Sequence, residues 1–103
     1  MTRTTAQNAP IRILDVSPLV EAGPVLALLR VEVGLIVFHQ CRLISESPDS
    51  PLYVTPPMLR YRKPDGSRRY QSLVEWAKPV RDAVNRAARA AWAKQYAQEG
   101  IHE

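Results

Sequence analysis

The sequence is poor in the residues that carry most chemistry. It has one cysteine, Cys41, and two histidines, His39 and His102. A lone thiol excludes an intrachain disulfide and any zinc site built on cysteines. His39 has no carboxylate or second histidine near it in sequence, and His102 lies in the C-terminal tail, so no metal-ligand set is offered. No glycine-rich phosphate loop, HExxH or GxSxG occurs. His39 and Cys41 are two apart on one extended segment. Same-face neighbours on a strand stand roughly 6.5–7 Å apart, beyond the reach of a nucleophile–base hydrogen bond. Cys41 therefore reads as a small buried side chain and His39 as a packed, hydrogen-bonded one. No enzymatic activity and no cofactor are expected. Long apolar runs are also missing, and none approaches the ~20 residues that span a bilayer. Residues 1–10 are polar, without the apolar centre of a secretory leader. The expected compartment is the cytoplasm, with no membrane partner.

What is present fits one domain. The chain has 103 residues, 46% of them hydrophobic. A chain of this size buries only roughly 60–70% of its unfolded surface, so covering a further face with a second copy would help it. Residues 1–10 read as a flexible tail, 11–99 as the domain and 100–103 as a second tail.

Period-two patterning dominates the first half. Residues 11–16 form a short strand candidate, followed by a loop marked by Pro18, Gly23 and Pro24. Residues 25–33 and 35–44 flank Gly34 as a tight antiparallel hairpin. In its first strand Val25, Ala27, Leu29, Val31 and Val33 point one way. In its second, Leu35, Val37, His39, Cys41 and Leu43 oppose Ile36, Phe38, Gln40, Arg42 and Ile44. The prolines of Pro51-Leu52-Tyr53-Val54-Thr55-Pro56-Pro57 confine that segment to an edge or an irregular strand. Residues 58–63 and 68–74 are extended arms about Pro64-Asp65-Gly66-Ser67, a strong turn signal because Pro presets φ and Gly accepts positive φ.

One helix is expected, over residues 79–98. Pro79 suits its first turn, the segment is alanine-rich, and Val80, Val84, Ala87, Ala88, Ala91 and Trp92 form an apolar stripe. Gly100 is a plausible stop. Ser72-Leu73-Val74-Glu75 also has the form of a capping box, which would start the helix earlier, but strand is preferred for residues 68–74. Trp92 and Tyr96, four apart, suit core or dimer-interface packing. Trp76 fits either the core or a binding surface. The fold class that results is α+β, an antiparallel sheet of about four to five strands with a C-terminal helix.

Charge is concentrated rather than large. Fourteen Lys and Arg against ten Asp and Glu give a net +4. The stretch Arg60-Tyr61-Arg62-Lys63-Pro64-Asp65-Gly66-Ser67-Arg68-Arg69 holds five of the bases and one acid. Clustered cations favour polyanions. Arg60, Arg62, Lys63, Arg68 and Arg69 would neutralise phosphates, and Tyr61 and Tyr70 would stack on exposed bases. Set against this is a solvated hairpin whose charges blunt a sheet edge. Arg81, with Arg86 and Arg89, would extend the patch along the helix, although a solvated helix face is the commoner outcome.

In order, these elements resemble the stage V sporulation protein G (septation protein) family over about residues 11–96. Leu35-Ile36-Val37-Phe38-His39-Gln40-Cys41-Arg42-Leu43-Ile44 resembles the family's strand of a hydrophobic run, His, Asp, Ile, Arg and two aliphatics, with Gln40 in place of Asp and Cys41 in place of Ile. Leu52-Tyr53-Val54-Thr55-Pro56-Pro57 resembles its Leu-Phe-Val-Ala-Met-Pro. Pro64-Asp65-Gly66 resembles its turn, and Arg81-Asp82 with Val84 and Trp92 resembles the start and an aromatic of its C-terminal helix. Six residues separate Pro57 from the turn here, where the family has four. The cations therefore do not match one to one: Arg60 is the best counterpart, with Arg62 and Lys63 in reach. The family's helix also carries an Arg at the position of Arg81. The resemblance implies a homodimer formed by pairing sheet edges and a bacterial regulator that binds DNA or RNA. The rival expectation is a protein–protein adaptor in cell division or mobile-element regulation, docking through strand edges and the helix of Trp92 and Tyr96.

Overall fold

The computed structural model describes residues 10–101, with side chains as far as residue 95. Most of the expected N-terminal tail, His102 and the side chain of Tyr96 lie outside the described residues. The protein is α+β. A four-stranded antiparallel sheet has the order β1 (Ile11–Pro18), β2 (Val25–Val33), β3 (Ile36–Ile44), β4 (Tyr53–Thr55). β5 (Met58–Arg62) and β6 (Arg68–Ser72) form a separate two-stranded ribbon, and α1 spans Lys78–Ile101.

The sheet follows the alternation read from the sequence. Ala27, Leu29 and Val31 of β2 are buried, and the residues between them look outward. The turn to β3 is two residues, Gly34 and Leu35, with Val33 paired to Ile36. Gly34 has φ 61°. Positive φ at the first central residue alone suits a two-residue hairpin, and glycine takes it without a Cβ penalty. β4 is an edge strand, as its flanking prolines require. β1 is the other edge and runs to Pro18, two residues past the expected end. Proline is tolerated there because an edge strand has one side free of a ladder.

β3 departs from simple alternation. Val31 pairs with Phe38 and Leu29 with Cys41, so β3 carries one residue more than β2 between these pairs. The bulge falls at His39–Gln40, and Gln40 has φ 61°. Its effect is to put Phe38 on the same face as Cys41 and Leu43. Phe38 there meets the Trp76 ring edge to face, centroids 5.5 Å apart, and the Cys41 Sγ lies 3.8 Å from the Phe38 carbonyl oxygen. Phe38 is partly buried, and packing it against the core offsets a cost on the order of the ~1–2 kcal/mol of one left-handed residue. Two expectations are thereby corrected. His39 is exposed rather than packed, and the set Leu35, Val37, His39, Cys41, Leu43 does not share one face.

α1 covers the inner face of the sheet. Val84 and Ala88 are buried against Ala27, Leu29, Val31, Cys41, Leu43, Val54 and Trp76, with Val80 and Trp92 packed at the margin. Trp76 and Trp92 are thus core residues. The Asn85 Oδ1 accepts a hydrogen bond from the Val54 N–H at 2.9 Å, so the helix also satisfies a donor of edge strand β4. α1 begins at Lys78, and its first bond runs from the Arg81 N–H to the Ala77 carbonyl (2.9 Å). The capping-box alternative at residues 72–75 is not used, and the helix continues through Gly100 rather than stopping there.

On the outer face, Arg12 pairs with Glu32 and Arg30 with Asp15, each at 2.7 Å. Exposed pairs of this kind contribute about 0–1 kcal/mol.

Candidate nucleic-acid interface

The ribbon is built by its turn. The Gly66 N–H closes onto the Lys63 carbonyl (2.8 Å) and the Lys63 N–H onto the Ser67 carbonyl (2.9 Å). Gly66 has φ 89°, and a Cβ there would meet nothing within 4 Å, so glycine is needed for conformation and not for space. The Asp65 Oδ1 accepts from the Ser67 N–H (2.9 Å) and the Ser67 hydroxyl (2.6 Å). These bonds, the hydroxyl's first, hold the Asp65 carboxyl below its usual value. The only acid of residues 58–72 is therefore occupied within the turn rather than with the arginines.

Pairing sets Arg60 opposite Tyr70, Tyr61 opposite Arg69 and Arg62 opposite Arg68. By alternation, Arg60, Arg62, Arg68 and Tyr70 leave from one face of the ribbon, and Tyr61 and Arg69 from the reverse. All six border one open concavity of about 330 Å³. No residue of β5 or β6 is buried. Among the described residues the ion pairs are Arg12–Glu32, Arg30–Asp15 and Lys78–Asp82, so none engages a ribbon cation. Arg62 and Arg68 instead face each other directly, a like-charge juxtaposition that destabilises a strand pair. The polar contacts of the ribbon guanidiniums among the described residues are weak and to backbone: Arg62 Nη1 donates to the Gly66 carbonyl at 3.5 Å, and Arg69 Nη1 to the Arg68 carbonyl at 3.3 Å.

The six residues singled out in the sequence are therefore only partly gathered. Arg60, Arg62, Arg68 and Arg69 surround the concavity. Lys63 stands at the turn, exposed, and does not line it. Arg81 is elsewhere, on the first turns of α1, where it borders a cavity of about 320 Å³ with Pro56, Ser72, Val74, Glu75 and Trp76. Arg89 does not extend the patch, because its Nε donates to the Leu52 carbonyl at 2.8 Å. Burial pushes the Cys41 thiol up to about 11, which keeps it protonated and unreactive at neutral pH. Among the described residues no group of three or more His, Cys, Asp or Glu could hold a metal ion, and no helix is long and apolar enough to cross a membrane.

The residue that sequence reasoning passed over is Arg42. Its guanidinium carbon lies 5.8 Å from the centroid of the Tyr70 ring, at the limit of cation–π attraction. It joins the ribbon to the outer face of the sheet. Alternation alone places it on the outward side of β3, but its nearness to the ribbon is set by the fold and leaves no mark in the sequence.

Set against known proteins, the chain matches no family model, no curated protein and no solved structure.

Proposed function

We propose that this chain binds nucleic acid through the β5–β6 ribbon, as a small regulator without a catalytic step of its own that acts as a homodimer or higher oligomer. The observation that carries the reading is the Arg62–Arg68 confrontation flanked by Arg60. Three guanidiniums share one exposed face with no carboxylate to neutralise them, and a row of phosphates relieves exactly that repulsion while releasing its own counterions. Tyr70 on the same face supplies an aromatic surface for an exposed base. The resemblance to the stage V sporulation protein G family points the same way, to a bacterial cytoplasmic regulator of transcription or septation. Leu35, Ile36 and Val37 are exposed apolar residues at the end of the β2–β3 hairpin, which supports the reading that a second copy covers them.

The salt dependence of binding tests the reading. Five ribbon cations set against five phosphates give a log–log slope of affinity on salt near −4 to −5 on duplex and about −3.5 on a single strand. An isotherm that does not move between low and high salt removes the mechanism. The same exposed apolar row favours the rival, an adaptor that docks another protein. A purified protein free of 260 nm-absorbing material that shifts no oligonucleotide at low salt decides for the adaptor.

A further inference from the structure

The ribbon does not stand alone, because its arginine face looks across at the outer face of the sheet. Between them lies a second cavity of about 480 Å³, lined by Leu28 and Arg42 from β2 and β3, Gln40 from the bulge, and Met58 and Arg60 from β5. Arg60 borders both this cleft and the ribbon concavity, so the two are neighbours on either side of one guanidinium. From this geometry we infer that the cleft receives one unstacked nucleotide, and that the nucleic acid this protein prefers is single-stranded. The inference rests on the ribbon reading above and specifies its partner.

Three observations carry it. The first is the state of the sheet's arginines. Arg12 and Arg30 on the outer face are each held by a carboxylate at 2.7 Å. Arg42 has no such partner among the described residues, and its planar cation is set against the Tyr70 ring. The second is the lining. Two guanidiniums and an amide alternate with the apolar Leu28 and Met58, which suits a base, whose faces are apolar and whose edges hydrogen-bond. The volume is that of a site for one small ligand. Gln40, two residues before Arg42 and within the bulge, lines the same cleft, and bulges are common beside binding sites. The third is access. The walls belong to two separate elements, the sheet and the ribbon, so a base reaches the floor only after leaving its stack. A duplex loses pairing and stacking to do so, whereas a single strand gives up little.

The test is fluorescence anisotropy at fixed low salt, with a labelled random-sequence single strand and with the duplex made from it and its complement. The single strand is expected to bind about tenfold tighter. Arg42→Gln should weaken single-strand binding by about five- to tenfold and leave duplex binding unchanged. Arg42→Lys, which restores charge but not the planar stack, should recover only part of the loss. Equal affinity for the two probes, or no effect of Arg42→Gln, overturns the inference and leaves the ribbon reading intact. Failure of both probes to bind overturns the two together. Photocrosslinking of the wild-type protein to a single strand carrying 5-iodouracil decides the matter without relying on a variant. A crosslink mapped to Met58, which lines the cleft and not the ribbon concavity, supports the inference, and crosslinks confined to Tyr61 and Tyr70, which line the concavity, overturn it.

Discussion

The chain contains two hairpins of the same basic kind put to opposite uses. In β2–β3 each strand gives one face to the core, and the charged residues Arg30 and Glu32 left on the other face are matched by Asp15 and Arg12 across the strand pair with β1. In β5–β6 no side chain is buried, and the one acid is tied to its own turn. Both turns use a glycine at positive φ. What separates them is the helix: α1 covers the first hairpin and not the second. A hairpin without a covering layer has little apolar surface to remove from water, and a lone two-stranded unit is marginal. The Leu73 N–H donates to the Pro57 carbonyl at 3.3 Å, which closes the base of the ribbon where the chain arrives from β4. The ribbon's sequence is left free to carry charge.

This division is most severely tested in the core. Leu43 is fully buried, and Leu43→Ala should cost about 2–5 kcal/mol, read as a shift in the midpoint of urea unfolding. Under conditions where the variant remains folded, its affinity for nucleic acid should be unchanged. The converse change is Arg60→Ala with Arg62→Ala. It should lower affinity by about tenfold or more while moving stability by no more than ~0.5 kcal/mol, as exposed positions do. Relief of the Arg62–Arg68 repulsion makes a small gain in stability as acceptable as no change. A double variant that melts as far below the wild type as Leu43→Ala would show that the ribbon is part of the cooperative unit, and the comparison would fail.

The two hairpins were also unequally legible. Both turns were readable, because Gly34 between two aliphatic runs and Pro64-Asp65-Gly66 between polar arms are signals written in single residues with fixed backbone preferences. The inward face of β2 and the helical stripe of Val84 and Ala88 followed from periodicity, since one buried face per element leaves a regular trace. The bulge at His39–Gln40 left none. Its left-handed residue is a glutamine, which carries no marker of positive φ, and its cause is distant in sequence: Trp76 on the inner face draws Phe38 out of alternation. The same long-range effect hid Arg42. Its binding potential depends on Tyr70 and Arg60 standing across a cleft, an arrangement fixed by how the ribbon folds back and not by anything local to β3. Arg81 shows the complementary effect, bordering a cavity apart from the ribbon concavity. Sequence proximity of basic segments does not place them on one surface, and the helix carries it to a separate cavity.

The smallest effect separates charge from shape within the ribbon itself. Asp65 is exposed, and its carboxyl is held below the ordinary 3.8 by the Ser67 hydroxyl and N–H. Because the folded value is depressed, the order that these bonds lend the turn is complete above 3.8 and is lost as pH falls through the lower folded value. The Ser67 amide resonance should therefore hold its shift down to about pH 4 and move only below it. Asp65→Asn keeps an oxygen acceptor for Ser67 and should abolish that movement. It also removes the one negative charge among five cations, so nucleic-acid affinity should rise, by roughly twofold at low salt and less at high salt. If affinity falls instead, the exact course of the backbone through the turn outweighs the charge it carries, and the cations act by placement more than by number.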